Sequence, residues 1–233
     1  MPTPPNFLLV NKPAAWTSFD VVGYIRNDIK KAHPKLKNVK VGHAGTLDPF
    51  ATGLLIVGIG REATKRLDEF KNLPKTYEAA IRLGATSTTG DPTGDITEKT
   101  ASQQPNQATV QTVLQSFVGK QLQTPPMHSA KLVGGVRLYK LARQGKEVER
   151  KPSEIEILDI KLAEYSYPKL TITVTCSAGT YIRTLAEDIG TKLGTGAYCE
   201  ALTRTAIGEY RLDQAETPAI ALTKLLPTIT MNV

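Results

Sequence analysis

Gly42-His-Ala-Gly-Thr-Leu-Asp48-Pro-Phe-Ala-Thr-Gly53 runs directly into Leu54-Leu-Ile-Val-Gly-Ile59. The first stretch holds three glycines, a proline and several small residues without periodicity, so it reads as a loop, yet it contains a histidine and a carboxylate. The second reads as a fully buried strand, and a charged helix from about Glu62 to Phe70 follows. A carboxylate in a glycine-rich loop ahead of a buried strand can face a cleft while a rigid neighbour holds it. Asp48-Pro49 taken alone is also an ordinary turn pair.

Upstream, Phe7 to Val10 reads as a short buried strand. Ser18 is read as the N-cap of a helix with Val21, Val22, Ile25 and Ile29 on one face, ending before Pro34. Downstream, Lys75 to Leu83 alternates, with Tyr77, Ala79, Ile81 and Leu83 on the buried face. Gly90-Asp-Pro-Thr-Gly-Asp is a turn cluster. Val110, Val113, Leu114 and Phe117 form one helix face before Gly119 as a C′ residue. The stretch from Leu122 to Arg150 is polar and basic, with only a brief helical signal from Leu138 to Arg143, and reads as a functional excursion. Ser153 to Tyr165 and Lys169 to Cys176 read as a hairpin about Tyr167-Pro168. After Ser177-Ala-Gly-Thr a helix carries Ile182, Leu185, Ile189 and Leu193 on its apolar face, and Arg183 beside it reads by default as a solvated residue. Strands and helices intermix without strict alternation, which predicts an α+β fold with a mixed, largely antiparallel sheet flanked by helices.

Composition sets the outer limits. The chain has 233 residues, 40% of them hydrophobic and 22% charged, as in an ordinary globular protein. Its formal charge of +7 raises the odds of a polyanionic partner without naming one. No apolar run is long enough to span a bilayer, and Met1-Pro-Thr-Pro-Pro lacks the layout of a secretion signal, so a cytoplasmic location is expected. The two cysteines and three histidines show no metal-ligand spacing. GxxxxGK[ST] and GxSxG are absent, and no GxGxxG follows a strand. Carboxylate chemistry without cofactor or metal remains.

Four blocks in order then point to one family. GHAGTLDPFATGLL resembles the signature loop of the TruB family of tRNA pseudouridine synthases. Lys75-Thr-Tyr77-Glu-Ala-Ala-Ile-Arg-Leu-Gly, Pro125-Pro-Met-His-Ser-Ala-Lys131 and Gly179-Thr-Tyr181-Ile-Arg183-Thr resemble its other motifs. The likeness runs from about Phe7 to Ala215. It implies the pseudouridine synthase catalytic fold and isomerisation of the T-loop uridine of tRNA, with Asp48 as nucleophile, Arg183 as its ionic partner and Tyr77 stacked on the target base. Tyr181 and Leu202 would line the pocket, and His43 would fill the space left by the flipped nucleotide. Lys12, Lys65, Lys131 and Arg143 would contact RNA. Position 203 is Thr where the family commonly has Arg.

The same resemblance implies a single catalytic domain over 1–233, with residues 122–151 as an RNA-clasping insertion and no C-terminal PUA-like domain. It also implies a monomer that acts on the tRNA T arm without a guide RNA. The nearest rival is the guide-directed relative that works in a multi-protein particle. A role as a tRNA folding helper can coexist with catalysis.

Overall fold

The structure, a computed structural model, describes residues 3–34, 38–99, 104–129 and 131–225. Met1, Pro2, Ala130 of the third motif and the chain after 225, where the expectation about a C-terminal domain falls, lie outside the described residues. In chain order the elements are β1 (Phe7–Lys12), α1 (Ser18–Ala32), β2 (Val41–Ala44), β3 (Thr52–Ile59), α2 (Arg61–Lys65), α3 (Leu67–Lys71), β4 (Lys75–Leu83), β5 (Ala85–Ser87), β6 (Ile96–Glu98) and α4 (Gln107–Gln115). There follow β7 (Gly119–Gln123), β8 (Leu132–Val133), β9 (Val136–Arg137), α5 (Leu138–Ala142), β10 (Ser153–Ser166), β11 (Lys169–Cys176), α6 (Ile182–Lys192), β12 (Ala197–Ile207), β13 (Tyr210–Arg211) and α7 (Pro218–Leu225). The chain forms two compact units, residues 1–76 with 203–233, and residues 77–202.

In the first unit β3 is the organising strand. It pairs antiparallel with β1 and β2 and parallel with the last part of β12, which pairs antiparallel with β13. Its apolar run is continuous because both faces are covered. Leu55, Val57 and Ile59 pack with Val21, Val22, Ile25 and Ile29 of α1, whereas Leu54 and Ile56 pack with Ala63, Leu67 and Phe70. Each large side chain so buried contributes roughly 1.5–3 kcal/mol.

Three local readings are corrected here. The helix cap is Thr17 rather than Ser18: Thr17 Oγ1 accepts from Asp20 N at 3.0 Å and Thr17 N donates to Asp20 Oδ2 at 2.7 Å, a reciprocal box. Thr17 Oγ1 also donates to Asp20 Oδ2 at 2.8 Å, and this bond, together with the one from Thr17 N, holds the Asp20 carboxyl below its usual pKa. The span from Glu62 to Phe70 is not one helix but two short ones divided at Arg66, where Arg66 N and Glu69 N bond three residues back and tighten the turn. His43 lies on strand β2 opposite Val57, not in a loop.

In the second unit the strand order is β4-β11-β10-β7, with β10 antiparallel to both neighbours. The alternation read in β4 holds, since Tyr77, Ala79, Ile81 and Leu83 are all buried. β11 alternates in the same way, with Leu170, Ile172, Val174 and Cys176 inside. α4 ends at Ser116, so Gly119 is not its C′ residue; with φ 108° it opens β7 instead. β7 contains Leu122 and Gln123, paired with Glu154 and Ser153, so the segment between the paired strands spans 124–152. The parallel β3–β12 pairing beside the antiparallel β1–β3, β10–β11 and β10–β7 registers gives the mixed, largely antiparallel pairing expected, and the class is α+β.

Candidate active site

Asp48 sits at partial exposure in the first unit, between β2 and β3, where the chain has no regular structure. The carbonyl of Asp48 accepts from Ala51 N at 3.1 Å, a turn that brings the chain back into β3. Segments from elsewhere in the same unit hold the loop. Lys12, fully buried, donates from Nζ to Trp16 O at 2.6 Å, Pro13 O at 2.8 Å and Pro49 O at 3.4 Å. Its pKa is lowered from 10.5 to about 8, chiefly by burial, with the Asp48 charge opposing and Arg204 adding to the fall. Arg204, 1% exposed, donates from Nε to Leu54 O at 2.7 Å and from Nη2 to Gly45 O at 3.1 Å, bracing both ends of the loop.

The close approach of β12 explains Gly53. A Cβ there would lie 2.4 Å from Arg204 O and 2.7 Å from Arg204 N, at a φ of +106° that L side chains avoid. Neither contact is with a flexible side chain, so Gly53→Ala should destabilise the fold by roughly 3 kcal/mol, read as a fall in the urea midpoint at unchanged slope. One residue earlier, Thr52 Oγ1 and Thr203 Oγ1 share a hydrogen bond of 2.9 Å across the same parallel pair. Thr203 thus ties the two strands together through its hydroxyl.

The second unit carries Tyr77, Tyr181, Arg183 and Leu202. Arg183 follows the first residue of α6, yet it is 3% exposed rather than solvated. Its Nη1 donates to Thr89 O at 2.7 Å and its Nη2 to His128 O at 2.6 Å, and Nη1 lies 3.3 Å from Asp91 Oδ2. Asp91 is buried, and its Oδ1 accepts from Thr89 Oγ1 at 2.8 Å, Thr93 N at 2.9 Å and Thr93 Oγ1 at 2.5 Å. Sequence reasoning missed Asp91, which it took for part of a turn. The available signal was an acidic residue flanked by threonines within a glycine-bounded loop. Gly90 is suited there because its φ is +72°, which L side chains rarely adopt, and a Cβ would also crowd Arg183 Cβ at 3.3 Å. Glu187, one turn after Arg183, has its pKa raised by burial, with the Arg183 charge opposing.

Tyr181 is held by its backbone. Gln123 Oε1 accepts from Tyr181 N at 2.8 Å and Gln123 Nε2 donates to Tyr181 O at 3.0 Å, which fixes the entry to α6 and leaves the ring part-exposed. Tyr77 and Leu202 are buried at 8% and 6%. The cations fall into two groups. Arg143 is exposed, with its guanidinium 5.7 Å from the Tyr139 ring centroid, and Arg137, Lys140 and Lys146 are exposed beside it in sequence. Lys131 instead donates to Ser153 Oγ and to Lys151 O at 3.4 Å. In the first unit Lys65 is exposed and pairs with Glu62 at 2.8 Å, whereas Lys12 has no exposed surface to offer a phosphate.

Comparison with known proteins gives a consistent result. The family described as TruB family pseudouridylate synthase (N terminal domain) matches residues 31–182. A tRNA pseudouridine synthase B of Bacteroides fragilis is 47% identical over 212 residues, covering 91% of this chain and 90% of the relative. One of Chlorobium luteolum is 43% identical over 233 residues, covering all of this chain and 79% of the relative. Among solved structures, a chain of a Cbf5-Nop10-Gar1 complex superposes with a TM-score of 0.65 at 26% identity over 88% of this chain. A chain of an H/ACA RNP bound to a substrate RNA containing 2'-deoxyuridine gives a TM-score of 0.66 at 23% identity, a likeness of fold. The chain spans about half the length of these solved relatives.

Proposed function

Because the chain belongs to the TruB family of pseudouridylate synthases, we propose that it isomerises the T-loop uridine of tRNA, position 55, to pseudouridine. The observation that carries this is the 47% identity, over nine-tenths of both chains, to a tRNA pseudouridine synthase B. Asp48 is the nucleophile. In the net reaction the glycosidic C–N bond breaks, the uracil turns, and carbon 5 bonds to the sugar. The proton leaves carbon 5 and nitrogen 1 takes one up, so the reaction is redox-neutral and needs no cofactor. An ionised carboxylate is required, which is served by a cationic neighbour, the role assigned to Arg183. Tyr77 stacks on the base and assists removal of the carbon 5 proton, and Tyr181 and Leu202 enclose it. The uridine must leave its stack first, at a few kcal/mol, and His43 occupies the vacated place.

Segment 124–152 supplies the RNA grip. Lys140, Arg143 and Lys146 are exposed and can meet phosphates. Binding of T-arm RNA should therefore weaken with salt, with a log–log slope of roughly −0.7 to −0.9 for each phosphate neutralised. Fluorescence anisotropy at several salt concentrations measures it, and replacing Arg143 by Ala should make the slope shallower by about one phosphate. A flat salt response would contradict the assigned grip.

The enzyme acts as a monomer on the bare T arm in the cytoplasm. Among the described residues no helix is long and apolar enough to cross a membrane. The solved neighbours from multi-protein complexes raise the guide-directed alternative, which the higher identity to a protein named tRNA pseudouridine synthase B disfavours. Purified protein incubated with unmodified tRNA transcript alone separates the two. Pseudouridine at the T-loop position is the expected product, and activity that appears only with added guide RNA would overturn the reading. Rescue of tRNA folding by an inactive variant would reveal a helper role beside it.

A further inference from the structure

The loop between β2 and β3 has no ladder of its own, so its polar backbone must be satisfied from outside. The three carbonyls centred on Asp48 are all taken. Leu47 O accepts from Ser18 Oγ at 3.2 Å, Asp48 O from Ala51 N at 3.1 Å, and Pro49 O from Ala15 N at 2.8 Å and Lys12 Nζ at 3.4 Å. Ala15 makes its contact from a φ of 65°, a strained conformation for alanine that persists where the surrounding structure over-determines it.

Ser18 stands apart from the other donors. Its hydroxyl also accepts from Leu47 N at 2.8 Å, so one side chain fixes the peptides on both sides of Leu47. The second of these peptides joins Leu47 to Asp48. Ser18 is 1% exposed and Leu47 3%, so water does not compete for the bonds. The hydroxyl is itself set by a rigid element: Ser18 opens α1, whose Thr17–Asp20 box and buried Val21, Val22, Ile25 and Ile29 tie it to the core. A serine expected to cap its own helix is turned away from that helix and onto the loop.

We infer that Ser18 is a positioning residue for the isomerisation: by holding the Leu47–Asp48 peptide it sets the direction in which the Asp48 carboxylate projects, without touching substrate. Arg204 restrains the outer ends of the same loop through Gly45 O and Leu54 O. The inference rests on the reading of Asp48 as the nucleophile. A carboxylate displaced by about 1 Å costs on the order of 100-fold in rate, whereas RNA affinity depends on groups spread elsewhere.

The test compares Ser18→Ala, Ser18→Cys and Asp48→Asn in single-turnover reactions with saturating T-arm RNA, with RNA Kd and the denaturation midpoint measured for each. Ser18→Ala should slow the chemical step by roughly 10- to 100-fold at unchanged Kd. Ser18→Cys, which keeps a weak donor and acceptor in place, should recover part of the loss. A wild-type rate in Ser18→Ala would overturn the inference. So would a loss of rate only in proportion to lost folded protein, which is what a merely structural serine would give. Activity in Asp48→Asn would instead remove the nucleophile itself, however Ser18→Ala behaved.

Discussion

Asp48→Asn should give a folded protein that binds T-arm RNA and makes no measurable pseudouridine, a fall in rate of about 10⁴-fold or more. The amide has nearly the shape of the carboxylate but neither its charge nor its nucleophilicity. The fold should survive because the loop is held by contacts to its backbone, from Ser18 to Leu47, from Ala15 and Lys12 to Pro49, and from Arg204 to Gly45 and Leu54. One electrostatic consequence is local. The Asp48 charge raises the pKa of buried Lys12, so its removal should push that lysine further below about 8. Mass spectrometry of the RNA after single turnover, with urea denaturation alongside, checks both halves. Equal product from wild type and variant would exclude Asp48 as the nucleophile.

The second large effect belongs to the buried pair in the other unit. The side chains of Arg183 and Asp91 are 4% and 7% exposed, and the charged groups lie 3.3 Å apart. Taking one member from such a pair costs about 3–5 kcal/mol, because the remaining charge stays in a poorly solvating interior. Asp91→Asn should therefore lower stability by about that amount and slow turnover, since the guanidinium loses the carboxylate that orients it. Arg183→Met should abolish turnover while RNA binding is mostly kept. The double variant Arg183→Met with Asp91→Asn should cost less stability than the two single changes added together, because it removes both charges at once. Chemical denaturation of the three proteins measures this. Strict additivity would show that the two charges do not depend on each other.

These two centres differ in how far the sequence disclosed them. The strands and helices that carry them were legible because burial imposes a period: β4 and β11 alternate, α1 shows its stripe, and β3 is continuous because both of its faces are covered. Asp48 was singled out by its loop and by resemblance. Asp91 was hidden, because a turn-forming aspartate and a buried ion-pair partner look alike until α6 packs against Gly90. The default reading of Arg183 as solvated fails for the same reason, since helical spacing places it beside the apolar face but cannot register a neighbour from a distant turn. Ser18 and Thr17 are both good caps, and only the position of Leu47 decides between them. β2 escaped notice because four residues containing Gly42 show no alternation, and its pairing with β3 is a long-range fact.

We propose for this chain the placement of pseudouridine in the T loop of tRNA without a guide RNA. Mapping pseudouridine across total tRNA from cells with and without the protein tests it most directly. Loss confined to the T-loop uridine, restored by the wild-type chain and not by Asp48→Asn, is the expected result. An unchanged T-loop signal in cells lacking the protein, or losses at sites outside the T arm, would contradict it.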